Sequence, residues 1–305
     1  MGLSTGKRED ELKDSVHSTP AATAERLRPS LPPDEPLVVI EPSRSWAALD
    51  LYSLWSHREL LYFLIWRELK VRYKQTLLGA SWVIIQPFFM MLIFTLFFGM
   101  LVRVPSDGIP YPLFVYAGLF LWTFLSNTVM NSSLSVVVSS DLITKVYFPR
   151  LLIPISMVGA RLVDLVITFL ILLGLAAYYG VEPRWSVLML PVLIAMVALL
   201  ALGIGTWASA LNVKYRDVGV ALPVLLQFWM FASPIIYPVS LVPPNWQWLY
   251  FLNPVAAIVE NFRAALLGLE FNWSALAISA IIILATLVYS AYAFRRVEKS
   301  FADII

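Results

Sequence analysis

Apolar runs long enough to cross a membrane follow one another along this chain, separated by short polar breaks. Six of them cover residues 79–102, 113–138, 154–179, 187–211, 219–239 and 274–294. Each matches or exceeds the ~20 residues that an α-helix needs to cross a ~30 Å hydrocarbon layer. Lipid offers a backbone no hydrogen-bond partners, so a spanning segment must satisfy its own N–H and C=O groups, and the runs predict helices. The expected fold is an all-α membrane protein with six transmembrane helices.

Two segments interrupt this rhythm without reading as plain loops. In RELLYFLIWRELKVRYKQ, residues 58–75, Tyr62, Ile65, Trp66, Leu69 and Tyr73 recur at helical spacing, while Arg67, Lys70 and Lys74 fall on another face. Ser56 followed by Glu59 has capping-box spacing and places the helix start there. The pattern predicts an N-terminal amphipathic helix in the membrane interface, its basic face toward anionic lipid. A surface helix packed on a soluble domain is the alternative. The second segment, 242–273, carries Trp246, Trp248, Tyr250, Phe251 and Trp273 around an apolar stretch, 255–267, too short to span. Asn253 before Pro254 predicts a helix start, and Gly268 its end. An outer re-entrant helical pair between spans five and six fits the length; a pair resting on the outer surface is the other arrangement.

Basic residues near the ends of the runs set the expected orientation. Arg58, Arg67, Lys70, Arg72, Lys74, Lys145, Arg150, Lys214, Arg216, Arg295, Arg296 and Lys299 gather on one side, against Arg103, Arg184 and Arg263 on the other. Both termini are therefore expected in the cytoplasm. The break SSDLITKVYFPRLLIP, residues 139–154, falls on the cytoplasmic side. It interleaves Asp141, Lys145, Arg150 and two prolines, Pro149 and Pro154, which resist continued helix, with Tyr147 and Phe148. Tyr147 and Phe148 are suited to fill a pocket on a soluble subunit. A plain positive-inside loop would explain Lys145 and Arg150 but neither the aromatics nor the prolines.

Composition agrees. The 305 residues are 59% hydrophobic and only 14% charged, with a mean hydropathy of +0.76, more apolar surface than a water-soluble domain can hide. A net charge of +2 gives no argument for nucleic acid. The chain has no cysteine, and its two histidines, His17 and His57, precede the first run, so no metal site is expected. Residues 1–40, polar and of mixed charge, predict a disordered cytoplasmic tail. A lead-in and interface helix over 41–78 and a transmembrane domain over 79–305 complete the expected organisation.

No Gly-x-x-x-x-Gly-Lys-Ser/Thr, Gly-x-Ser-x-Gly or His-Glu-x-x-His occurs, so neither a catalytic nor a cofactor-binding site is expected here. The clear acid inside a span is Asp164, with Arg161 one helical turn before it. The two are expected to neutralise each other inside the bundle, a role in gating or substrate contact being the alternative. Transport work would then draw its energy from a cytoplasmic partner, with 139–154 as a dock.

Six motifs stand in order: LKVRYKQTLLGASWVIIQP, LITKVYFPRLLIP, NVKYRDV, MFASPIIYP, LNPVAAIVENFRAALLG and FRRVEKSFADII. Together, from about Pro42 onward, they resemble the membrane (permease) subunit of bacterial ABC exporters of polysaccharides of the O-antigen, capsular and teichoic-acid type. The resemblance implies a homodimer paired with two copies of an ABC ATPase, which would hold ATP and magnesium. It implies a lipid-linked polysaccharide as substrate and the bacterial inner membrane as location. An ABC exporter of a small molecule or lipid with the same architecture is the alternative. The interface helix (Arg67, Lys70, Arg72, Lys74) and the loop with Asp141, Lys145, Tyr147, Phe148 and Arg150 would meet the ATPase. A translocation path between the two copies would be lined by the first and fifth spans. Their aromatics, Trp82, Phe88, Phe89, Phe228, Trp229, Phe231 and Tyr237, suit a sliding sugar polymer; packing or lipid contact is the plainer role for any one of them. The outer pair, with Trp246, Trp248, Asn253, Glu260 and Arg263, would cap the pore.

Overall fold

The computed structural model describes residues 51–74, 79 and 81–298. The chain clusters into two units, Met1–Trp46 and Ala47–Ile305. The first unit, with the expected tail of residues 1–40, lies outside the described residues, as do the rest of the lead-in to residue 50 and residues 299–305.

Among the described residues the fold is helical throughout. We number the α-helices α1 (Leu51–Ser56), α2 (Arg58–Tyr73), α3 (Ser81–Phe94), α4 (Tyr111–Val138), α5 (Ser140–Lys145), α6 (Leu152–Tyr178), α7 (Leu190–Lys214), α8 (Val218–Phe231), α9 (Pro244–Tyr250), α10 (Pro254–Leu267) and α11 (Trp273–Glu298). Five stretches are long and apolar enough to span: α3 with its π-helical continuation to Leu101, α4, α6, α7 with the 3-10 turn that leads into it from Trp185, and α11. The run 219–239, expected as one span, differs. Its helix α8 has 14 residues, reaching ~21 Å at 1.5 Å per residue. Residues 232–237 that follow are turns and bends. Pro234 has no N–H to extend the helix, and the carbonyls of Pro234 and Ile235 are turned toward Arg263 instead.

α4 is the axis of the bundle. Its most apolar stretch is 78% buried, against 17% for α3, because α6, α7, α3, α8 and α10 all pack on it. Gly205 of α7 lies so close to Ser132 of α4 that an added Cβ would come within 2.6 Å of it. Small residues at such crossings let helices approach where lipid gives no hydrophobic drive to pack.

α2 is not free in the interface; it packs along α6. Leu64 is buried, and Ile65 fills the notch that Gly159 leaves open. The expected apolar face is divided: Ile65, Leu69 and Tyr73 turn toward the bundle, while Tyr62 and Trp66 are exposed with Phe63 and Val71. The helix start differs too. α1 precedes it, the N-cap is His57 without a side-chain cap bond, and the Ser56 hydroxyl lies 3.1 Å from the His57 ring.

Candidate functional site

Where α2 meets α3, α4 and α6, the packing leaves a cavity of about 190 Å³. Its charged wall is built around Asp164. Arg72 of α2 donates to Asp164 Oδ2 at 2.6 Å and Arg161 donates to the same oxygen at 3.0 Å. The Tyr73 hydroxyl donates to Oδ1. Asp164 is buried. Burial pushes the Tyr73 hydroxyl up to about 12, with the Asp164 carboxylate adding to the rise. The remaining lining is polar from Gln86, Thr123, Asn127 and Thr168 and apolar or aromatic from Trp82, Val83, Pro87, Phe120, Phe124 and Leu165. The Arg161–Asp164 contact expected from the sequence is present, but as part of a three-residue charge cluster. Arg72, expected on the docking face, turns inward because its helix lies flat on α6 and the buried acid draws it there.

A second group sits at the same end of the bundle. α5 is six residues long, with Asp141 in its first turn and Lys145 in its last, a polarity that complements the helix dipole. Ile143 and Phe148 enter a core formed with Leu64, Val136, Leu152, Val213 and Phe294. Phe148 is therefore 5% exposed, an anchor within its own chain and not an outward one, whereas Tyr147 is 90% exposed. Arg67 of α2 donates to both Glu68 and Ser139, joining α2 to the start of α5. Arg150 donates to the Glu298 carbonyl at the end of α11. Lys70 and Lys74 stay exposed, Lys70 over the Trp66 ring at 5.3 Å. Asn212 pins the α7–α8 turn by donating to the Ser133 carbonyl and accepting from Gly219 N–H.

The opposite end is held by Arg263. Its guanidinium donates to the carbonyls of Phe114, Pro234 and Ile235 at 2.7–3.1 Å and stacks 3.5 Å from the Phe114 ring centroid. Asn253 caps α10 by accepting from Val255 N–H, also accepts from the Trp229 indole and donates to Ser233. Gly268 closes α10 in the left-handed region at φ 70°, as the sequence predicts. α10 is buried along nearly its whole length, whereas α9 has no fully buried residue. Trp246 and Trp248 of α9 are exposed, while Glu260 is half-buried with one carboxylate oxygen unpartnered. Tyr237 donates to the Phe231 carbonyl and accepts from Tyr250.

The aromatic set divides accordingly. Trp82, Phe88, Phe89, Phe228 and Phe231 are exposed on this chain. Trp229 and Tyr237 are tied inward, Trp229 edge-on to Trp122 at 5.9 Å. The sequence reading missed Arg72 and Tyr73 as partners of Asp164, and Asn212 as a turn clasp. Residues 91 and 92 positions from Asp164 carry no local mark of that contact. The one available signal was charge arithmetic, since two arginines near one acid leave an excess. Among the described residues no cluster of metal-ligating side chains occurs.

Residues 59–267 match the ABC-2 type transporter family, and the chain belongs to that family. It is a transporter membrane subunit, not an enzyme. It is 32% identical to an O-antigen export system permease protein of Myxococcus xanthus over 69% of this chain and 81% of the relative. A Klebsiella pneumoniae protein of the same description is 28% identical over 83% of this chain and 98% of its own length. A polysialic acid transport protein of Escherichia coli is 25% identical over 69% of this chain and 84% of the relative.

Proposed function

We propose that this chain is the permease of an ATP-driven exporter that moves a lipid-linked polysaccharide outward across the bacterial inner membrane. The observation that carries this is the likeness, over 81–98% of their lengths, to permeases described as exporting O-antigen. A homodimer would pair with two ATPase subunits that hold ATP and magnesium. Both termini, α2 and α5 would lie in the cytoplasm. α8 would complete a sixth crossing with the turn that follows it, and α9 with α10 would form the re-entrant pair that caps the path.

Force would enter at α5. Asp141 and Lys145 of α5 and Tyr147 just after it are exposed, and Ile143 and Phe148 root the segment in the bundle. The Arg67 and Arg150 bonds tie it to α2 and α11, so a push on α5 would move these helices as one body. Exposed Trp82, Phe88 and Phe89 of α3 and Phe228 and Phe231 of α8 would line the seam between the two copies.

Deleting the chromosomal copy tests the reading. Surface polymer should vanish while lipid-linked polymer accumulates inside, and a plasmid copy should restore export. Normal surface polymer in the deletion strain would refute it.

A further inference from the structure

Among the described residues, the cavity under α2 holds more positive than negative charge. Its lining contains two guanidinium groups, Arg72 and Arg161, and one carboxylate, Asp164. Both arginines share Asp164 Oδ2, and Tyr73 takes Oδ1. Among the described residues the buried Arg161 Nε–H has no hydrogen-bond partner. An unmatched cation in an apolar bundle is unfavourable unless an anion joins it. Asn127, Gln86, Thr123 and Thr168 add neutral hydrogen-bonding groups to the same walls.

The surroundings point to a lipid-borne anion. Trp82, half exposed, lines the cavity, and Phe89 and Ile93 continue that exposed stripe along α3 at helical spacing. A charged head in the cleft would leave its hydrocarbon tail on this stripe. We propose that Arg72 and Arg161 bind the phosphate head of the transported lipid, with Asp164 and Tyr73 holding the two guanidinium groups in place. The identity of that lipid rests on the export reading; the anion site itself does not.

The test is calorimetric titration of the full chain in phosphatidylcholine nanodiscs with a short-chain isoprenyl diphosphate. The matched alcohol, inorganic diphosphate and phosphatidylglycerol serve as comparison ligands. The isoprenyl diphosphate should bind at least about tenfold tighter than either the alcohol or inorganic diphosphate, as one or two charge-assisted hydrogen bonds imply. Arg161→Gln leaves the Arg72–Asp164 pair neutral and should lose about tenfold, while Arg161→Lys should keep most of the affinity. Equal binding of alcohol and diphosphate would overturn the site, even if Arg161→Gln fails to fold. Unchanged affinity in a folded Arg161→Gln would overturn it too. Equal competition by phosphatidylglycerol, or tail-independent binding of inorganic diphosphate, would overturn the assignment to transported lipid. Polymer export without diphosphate binding would sink this site and spare the export reading; binding without export would do the reverse.

Discussion

Arg72 and Asp164 lie 2.6 Å apart across 92 positions of sequence, and that bond fastens α2 to the long apolar helix α6. Beside it Ile65 fills the space left by Gly159. The polar contact fixes α2 in direction and the apolar one in depth, so α2 moves with α6.

The charge cluster sets an order of damage. Asp164→Ala leaves two part-buried guanidinium groups without their acid and should cost about 3 kcal/mol, the low end for a broken buried pair. Arg161→Gln leaves a neutral Arg72–Asp164 pair and should cost far less. Detergent-phase thermal unfolding should rank the variants in that order; equal midpoints would refute the three-way cluster.

Alkaline pH probes the same cluster through Tyr73, whose hydroxyl is raised from 10.0 to about 12. A group that holds its proton more tightly when folded stabilises the fold fully below its unfolded value. That contribution fades as pH rises through the folded value. Wild type should therefore lose stability faster than Tyr73→Phe between pH 10.0 and about 12. Parallel stability curves for the two proteins would argue against the bond to Asp164.

Neighbouring aromatics in the α5 segment should behave oppositely. Phe148→Ala empties a packed position and should destabilise by about 3–5 kcal/mol. Tyr147→Ala touches no core and should leave the unfolding midpoint unchanged while lowering the ATPase that co-purifies. Loss of stability in both, or in neither, would contradict the division of roles.

How much of this was legible beforehand follows from what is local. Five of the six spanning runs, the Asn253–Pro254 start and the Gly268 end are properties of short windows, and they appear where the pattern put them. The Tyr62–Trp66 face was misplaced because periodicity describes one helix, while Gly159 and Asp164 of α6 decide which side packs. The run 219–239 stays apolar through its break because Arg263, distant in sequence, satisfies the carbonyls there. Phe148 and Tyr147 are indistinguishable as letters; only the fold puts one inside.

Arg263 offers a test at the other end. Gly118 lies where an added Cβ would sit 2.7 Å from Arg263 Nη2 and 2.9 Å from the Ile235 carbonyl. Gly118→Ala should displace the guanidinium, and Arg263→Met should orphan three carbonyls, at about 1–3 kcal/mol for each group left unsatisfied. Both should lower the unfolding midpoint, and the double variant should be less than additive. Full additivity would mean that the two positions act separately.

The central claim is that this chain receives its energy at α5 from a cytoplasmic ATPase. Because the chain has no cysteine, Tyr147→Cys can carry a single benzophenone maleimide in inverted membrane vesicles. Irradiation should yield one adduct, with an ATP-hydrolysing subunit, whose formation changes with added ATP. Modification of the same thiol by an impermeant reagent applied outside intact cells, with no ATPase adduct, would contradict the account.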